Sequence, residues 1–200
     1  MMNLGDVTLR AIEPKDVDLL YAYRNDWEVI RHLGGFSAGY SRANLEEWIQ
    51  RHSNRADEVL WTIATAGTDQ CVGHVGLYQI DNRLRKAQFA ILIGDRELWG
   101  KGLGTRVTQA VVSWAFLQLN LHKVALHVLT NNERAIRIYE SLGFRTEGVL
   151  RDEQFRDGEF LDLMVMAVFE DDWRARHGNR TAVLEAGKKS SHREESPLGR

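Results

Sequence analysis

The stretch Ile91-Leu-Ile-Gly-Asp-Arg-Glu-Leu-Trp-Gly-Lys-Gly-Leu-Gly-Thr105 constrains this chain more than any other, because glycines 100, 102 and 104 separate two runs of different period. Before it, Lys86 to Ile93 has the β-branched and aromatic content of a strand. After it, Val107, Ala110, Val111, Trp114 and Ala115 recur at helical spacing. The unit is strand, loop, helix. Small residues let several backbone amides converge on one anion, and the positive end of the following helix adds to the attraction. A diphosphate suits that geometry. A nucleotide P-loop matches poorly, since Lys101 lies between glycines instead of after the last one with a hydroxyl beside it. A dinucleotide fingerprint matches poorly too: the spacing is Gly-x-Gly-x-Gly, and the region some twenty residues on reads Leu121-His-Lys-Val124. The plainer alternative is a tight turn at a helix start with no ligand.

Around this unit the pattern is regular. Val7 to Ile12 reads as a strand, and Glu13-Pro14 opens a helix that carries Val17, Leu20, Tyr21 and Arg24 on one stripe. A second helix begins near Ser41, with Leu45, Trp48 and Ile49 on its stripe; Asn25 to Tyr40 between them either covers a substrate or simply connects. Leu60 to Thr65, Cys71 to Asp81 and Lys86 to Ile93 form an antiparallel meander with turns at Gly67-Thr68-Asp69 and Asp81-Asn82. His122 to Leu129 follows the central helix and should run parallel to Lys86 to Ile93 through a right-handed crossover. A helix from Asn132 to Leu142 stops at Gly143, and strands Thr146 to Phe155 and Glu159 to Phe169 flank the hairpin turn Asp157-Gly158. The expected fold is α/β (α+β), a mixed, mostly antiparallel seven-stranded sheet flanked by helices with a central parallel βαβ pair.

At 200 residues and 44% hydrophobic content the chain suits one domain with a well-buried core. A formal charge of -2 gives no support to a broad nucleic-acid surface. Cys71 is the single cysteine, so no intramolecular disulfide forms, and the first twenty residues resemble neither a signal peptide nor a membrane span. The reading is cytoplasmic. Residues 174–200 carry seven basic groups against three acidic ones and few large apolar residues, so the expected organisation is a domain over 1–173 and a basic, flexible tail over 174–200. A phosphate-binding arm is the alternative for that tail.

A second constellation, Asn132-Glu-Arg-Ala-Ile-Arg-Ile-Tyr139-Glu-Ser-Leu-Gly143-Phe144, lies one parallel strand beyond the glycine loop. Together, Trp99-Gly-Lys-Gly-Leu-Gly-Thr105 and Asn-x-x-Ala-x-x-x-Tyr-x-x-x-Gly-Phe resemble the acetyl-CoA signature of the GNAT N-acetyltransferases, and the resemblance covers Val7 to Trp173. Ala87 to Ile93, Leu121 to Val124, Glu147 to Arg151 and Phe155 to Asp162 resemble the branch of ribosomal-protein N-terminal and spermidine N-acetyltransferases. The resemblance implies a splay between the two parallel strands, entered by the pantetheine arm of acetyl-CoA as though it were another strand. It places backbone groups of Ile91 and Ile93 on that arm and the amides of Lys101, Gly102, Leu103, Gly104 and Thr105 at the pyrophosphate; Trp99, where many relatives have arginine or glutamine, counts as a further cofactor-binding candidate. Asn132 becomes a cofactor contact and Arg137 a phosphate partner, with Lys101 and Arg134 as further basic candidates. Tyr139 becomes the general acid, a phenol with a reference pKa near 10 that can protonate a departing thiolate. Periodicity alone favours Tyr139 as a core aromatic, a reading that the Asn132 and Gly143-Phe144 frame reverses, and Asn132 could equally be a helix cap.

Gln88 departs from the family, whose strand often carries glutamate there to accept the amine proton. Replacement bases are Asp95, Glu28 or His74, or none if neutral amine is drawn from solution; loop cap, surface charge and strand packing are their plainer roles. No metal is expected, because His122 and His127 face opposite sides of one strand and Cys71-x-x-His74 has no second ligand pair. The implied activity is acetyl transfer from acetyl-CoA to a primary amine, polyamine-like or a peptide N-terminus, in a ternary complex, with no membrane partner and a homodimer left open. Glu153, Asp157, Glu159 and Asp162 lean towards a cationic acceptor. The rival reading is a non-catalytic acyl-CoA-binding or sensor module that has lost its base.

Overall fold

A computed structural model describes residues 1–33, 39–53 and 55–178. In chain order the elements are β1 (Met2–Asn3), β2 (Val7–Arg10), α1 (Val17–Arg24), α2 (Trp27–Ile30), α3 (Arg42–Ser53), β3 (Val59–Thr65), β4 (Cys71–Asp81), β5 (Lys86–Ile93), α4 (Leu103–Gln118), β6 (Lys123–Leu129), α5 (Glu133–Leu142), β7 (Arg145–Arg156), β8 (Glu159–Phe169) and α6 (Glu170–His177). One sheet holds the strands in the order β1-β2-β3-β4-β5-β6-β8-β7. Every neighbouring pair is antiparallel except β5 and β6.

Three expectations shift. The sheet has eight strands instead of seven, because the chain reverses at Gly5 (φ +93°) and pairs Met2 with Leu9. Pro14 opens a short 3₁₀ turn, Pro14–Asp16, and the α-helix begins only at Val17. Ordered helix also continues past residue 173: Trp173 is buried beside Phe116, and Arg176 donates to the Ser141 carbonyl at 2.8 Å at the end of α5. The remainder of the expected tail, 179–200, lies outside the described residues.

Two layers of helix cover the sheet. The larger core joins α4 and α5 to the strands through Val107, Ala110, Val111, Phe89, Val124 and Leu142, and a smaller one joins α1 and α3 through Val17, Leu20, Leu45 and Ile49. Arg10 pairs both guanidinium ends with Asp16, each at 2.8 Å, and Thr62 donates to the same carboxylate at 2.7 Å, fixing the entry of α1 onto β2 and β3. Burial alone would push the Asp16 carboxyl up; the Arg10 and Thr62 hydrogen bonds outweigh it and hold the group below its usual range.

Candidate active site

The parallel strands β5 and β6 pair for only three residues, Lys86 with Lys123, Ala87 with Val124 and Gln88 with Ala125. Beyond Gln88 they part. β6 stays paired to β8 as far as Leu129, while β5 stays paired to β4 as far as Ile93, so each strand keeps its outer neighbour and loses its inner one. The Gly94 amide donates to Val72 at 2.9 Å, which fixes the alternation of the β4–β5 ladder. Leu92, Ala90 and Gln88 therefore bond to β4, and Phe89, Ile91 and Ile93 turn their backbone groups into the gap. An extended ligand arm finds unpaired strand edge there. One group is already engaged: the Trp99 indole N–H donates to the Ile93 carbonyl at 2.9 Å.

A cavity of about 770 Å³ passes through this gap. Side-chain alternation gives it two ends. Phe89 points to the α4/α5 face, where its ring meets the Tyr139 ring edge-on at 6.4 Å. Gln88 and Leu92, opposite Tyr78 and His74 on β4, point to the other face, where His74 meets Trp48 of α3 at 5.3 Å and Arg24 of α1 at 2.8 Å. The α2 end overhangs this second mouth. Arg156 of the β7–β8 hairpin donates to the carbonyls of Ile30, Arg31 and Leu33, and the Asn132 amide reaches the His32 carbonyl at 3.5 Å.

On the α4/α5 face, Gly100 (φ +79°) and Gly102 (φ +77°) occupy the left-handed region that side chains resist. Gly102 caps α4 without a side-chain partner, and the first helical bond runs from the Arg106 amide to the Gly102 carbonyl at 3.1 Å. The amides of Leu103, Gly104 and Thr105 are thus the unsatisfied first-turn donors of a sixteen-residue helix, and all three residues line the cavity. Arg134 stands over the Trp99 ring at 5.9 Å; Arg137 lines the cavity and pairs with Glu133 at 3.0 Å.

Tyr139 is 8% exposed, sits between Phe89 and Phe144, and lines the cavity. Its hydroxyl makes no hydrogen bond among the described residues. Burial, with no compensating partner, pushes its pKa up to about 12, so it is a proton donor throughout the neutral range.

The structure brings together Ile91, Ile93, Trp99, Gly102, Leu103, Gly104, Thr105, Asn132, Arg137 and Tyr139 around one cavity. Two other candidates stand apart. Lys101 is exposed and is not among the lining residues. Asp95 does not reach the cavity lining either, and its carboxylate accepts the Glu97 amide at 2.9 Å to cap a 3₁₀ turn. Asn132 caps α5 by accepting the Ala135 amide at 3.2 Å, which leaves its amide nitrogen for the cavity mouth. His74 is buried, and desolvation, the Arg24 charge and His52 hold its pKa well below the usual histidine value. Sequence reasoning did not single out Arg24, His32 or Tyr78 as site residues, although all three line the second mouth. An arginine on an otherwise apolar helix stripe was the available signal for Arg24.

A parted parallel pair, a run of unsatisfied helix amides and a buried phenol at the parting fit the class of acyl-CoA-dependent transferases. Residues 6–145 match the acetyltransferase (GNAT) domain family, and the chain belongs to that family as an acetyl-CoA-dependent N-acetyltransferase. It is 32% identical over 178 residues to the spermidine N(1)-acetyltransferase of Escherichia coli (strain K12), covering 88% of this chain and 93% of that one. The spermidine N(1)-acetyltransferase of Vibrio cholerae serotype O1 is 31% identical over 173 residues, covering 86% and 98%. A solved structure of the spermidine N-acetyltransferase from Vibrio cholerae in complex with CoA and spermine superimposes with a TM-score of 0.78 at 30% identity, over 84% of this chain and 98% of that one.

Proposed function

We propose that this protein moves the acetyl group of acetyl-CoA to a primary amine, on a small molecule or at a peptide N-terminus, by direct attack within a ternary complex. The observation that carries the reading is a cavity lined from both faces of the parted sheet, with Tyr139 beside the parting. The thioester arm lies along Ile91 and Ile93, its diphosphate meets the amides of Leu103, Gly104 and Thr105, and the amine arrives from the Gln88 and His74 face. The amine lone pair attacks the thioester carbon, and the carbonyl π pair moves onto oxygen. When that oxygen reforms the carbonyl, the C–S bond breaks and sulfur leaves with its electron pair, taking the Tyr139 proton. The nitrogen releases its extra proton to water, and Tyr139 is reprotonated from solvent.

No carboxylate lines the cavity among the described residues, and His74 serves poorly as a base. Arg24 donates to its Nε2, which places the ring proton on Nδ1 and leaves no free lone pair. His32 and His127 also line the cavity, and in this reading the amine enters neutral without a dedicated base. A lysine-like amine is neutral only about one part in a few thousand at pH 7, which slows turnover without forbidding it.

Purified protein mixed with acetyl-CoA and a panel of amines, polyamines included because the spermidine acetyltransferases are relatives, should release free thiol. Failure to bind CoA by calorimetry overturns the proposal. Gln88 supports one second reading, an acyl-CoA sensor, which would show saturable CoA binding with no turnover across the whole panel.

A further inference from the structure

We propose that the acceptor carries an oxyanion, a carboxylate or a phosphate, near its amine, and that Arg24 receives it. The inference rests on the transferase reading and names the substrate class of the same cavity.

Arg24 closes the last turn of α1 and lines the mouth from which the amine arrives. Its guanidinium makes no ion pair among the described residues. Arg10, the buried arginine of β2, does: it pairs with Asp16. Neutral groups hold Arg24 instead. One terminal nitrogen donates to His74 Nε2 at 2.8 Å, the other to the Tyr40 hydroxyl at 3.4 Å, and the Tyr40 and Trp48 rings flank the guanidinium carbon at 5.2 and 5.0 Å. These contacts orient the charge and leave it uncompensated. Two further donors in the same group, Arg24 Nε–H and His74 Nδ1–H, are buried without a partner, and His74 is only 4% exposed. A partly desolvated cation with spare donors is costly until an anion joins it.

Nothing in the lining suits a polycation. Among the described residues the cavity wall holds no aspartate or glutamate, and the family's strand carboxylate is Gln88 here. Glu58, whose charge bears on Tyr78, is engaged by His52 and by Arg55 at 3.1 Å. The acidic hairpin residues Glu153, Asp157, Glu159 and Asp162 do not line the cavity, and Asp162 is turned to the Asp152 amide at 2.9 Å. The phosphates of CoA do not explain Arg24 either, since the amide nest, Arg134 and Arg137 lie towards the α4/α5 face and Arg24 projects from the opposite one. Attraction for an anion-bearing amine and repulsion of a polyamine then come from one side chain.

The test compares matched acceptors by thiol release: α-amino acids against their C-terminal amides, phosphoethanolamine against ethanolamine, and spermidine. Expressed per neutral amine, to remove the difference in amine pKa between twins, kcat/KM of the anionic member of at least one pair should be roughly 10- to 100-fold above its neutral twin, the range expected for hydrogen bonds to a charged group. The pair that shows the ratio distinguishes carboxylate from phosphate. Arg24→Gln should abolish that ratio and Arg24→Lys should keep part of it, with CoA affinity unchanged in both. Thiol release that favours spermidine or the neutral twins, or a ratio that survives in R24Q, refutes the role of Arg24 and leaves the transferase reading intact. If no amine releases thiol, the transferase reading fails, and binding of N-acetylated products to the CoA-loaded protein decides the inference separately. Affinity that needs both the anion and Arg24 supports it; equal affinity for acetylated anionic and neutral twins overturns it.

Discussion

Replacing Tyr139 by phenylalanine removes one oxygen from a ring that is otherwise held by packing against Phe89 and Phe144. Because the hydroxyl has no partner among the described residues, its loss forfeits no hydrogen bond, and Y139F should be as stable as the parent or more stable by about 1 kcal/mol. Activity should move the other way. A phenol raised to about 12 is a weak acid for an ordinary thiolate near 8.5, an uphill transfer of roughly 5 kcal/mol at about 1.4 kcal/mol per pKa unit. Desolvation closes that gap in principle: burial pushes the Cys71 thiol up to about 12, and a departing thiolate shielded from water would gain basicity for the same reason. Removing the donor should lower kcat about 10²- to 10⁴-fold with little change in CoA affinity. The assay is steady-state thiol release, run with acetyl-CoA and with a truncated acetyl thioester whose thiol is already acidic; the penalty should shrink for the second. A kcat within about threefold of the parent, or equal losses with both thioesters, would refute the proton-donor role, and a loss of activity that tracked a fall in stability would return Tyr139 to the core.

Four further outcomes can be measured. Tyr23, Tyr78 and Tyr139 are each pushed up to about 12, chiefly by burial, so the folded chain keeps protons that the unfolded chain releases; stability should be intact below pH 10 and fall as pH rises from 10 towards 12 in urea titrations. Over pH 7 to 9.5, kcat/KM for a lysine-like amine should climb with the neutral-amine fraction and show no descending limb from Tyr139. Asp16→Asn breaks the buried pair with Arg10, which keeps Asp69 as a partner, and should cost about 1.5–3 kcal/mol. The carboxylate contribution exists above the ordinary aspartate range and is lost as pH falls through the lowered Asp16 pKa, so the parent should lose this stability in acid and D16N should not. Gly102→Ala forces a side chain to φ +77°, where no atom crowds the new methyl; the fold should lose about 1–2 kcal/mol while the Kd for CoA, by calorimetry, rises at least tenfold as the amide nest shifts.

Much of the framework was legible because its signals are local. Periodicity located β4 and β5 as they stand, Gly143 marked the end of α5, and Asp157-Gly158 marked the last hairpin. The cofactor face was legible for the same reason, since its residues fall in two short motifs. What residue patterns do not carry is the parting of β5 from β6, which depends on where a third strand stops competing for a partner; the family resemblance implied it. The acceptor mouth was least visible. Arg24, His74 and Gln88 come from three separate elements, and each has an ordinary structural role when read alone. Asp95 and Lys101 stood out by proximity to the motif, yet a capping bond turns one to its own turn and the other faces solvent.

Three residue pairs, with the His122 and Lys123 amides donating to the Arg85 carbonyl at their start, form the main-chain seam between β1–β5 on one side and β6–β8 on the other among the described residues. Two half-sheets stitched so briefly rely on α4 and the buried side chains to stay in register. A thioester arm laid along Ile91 and Ile93 would add rungs where the stitching ends, so the co-substrate also acts as a splint. At about one hundred times its dissociation constant it would raise the unfolding free energy by roughly 2.7 kcal/mol.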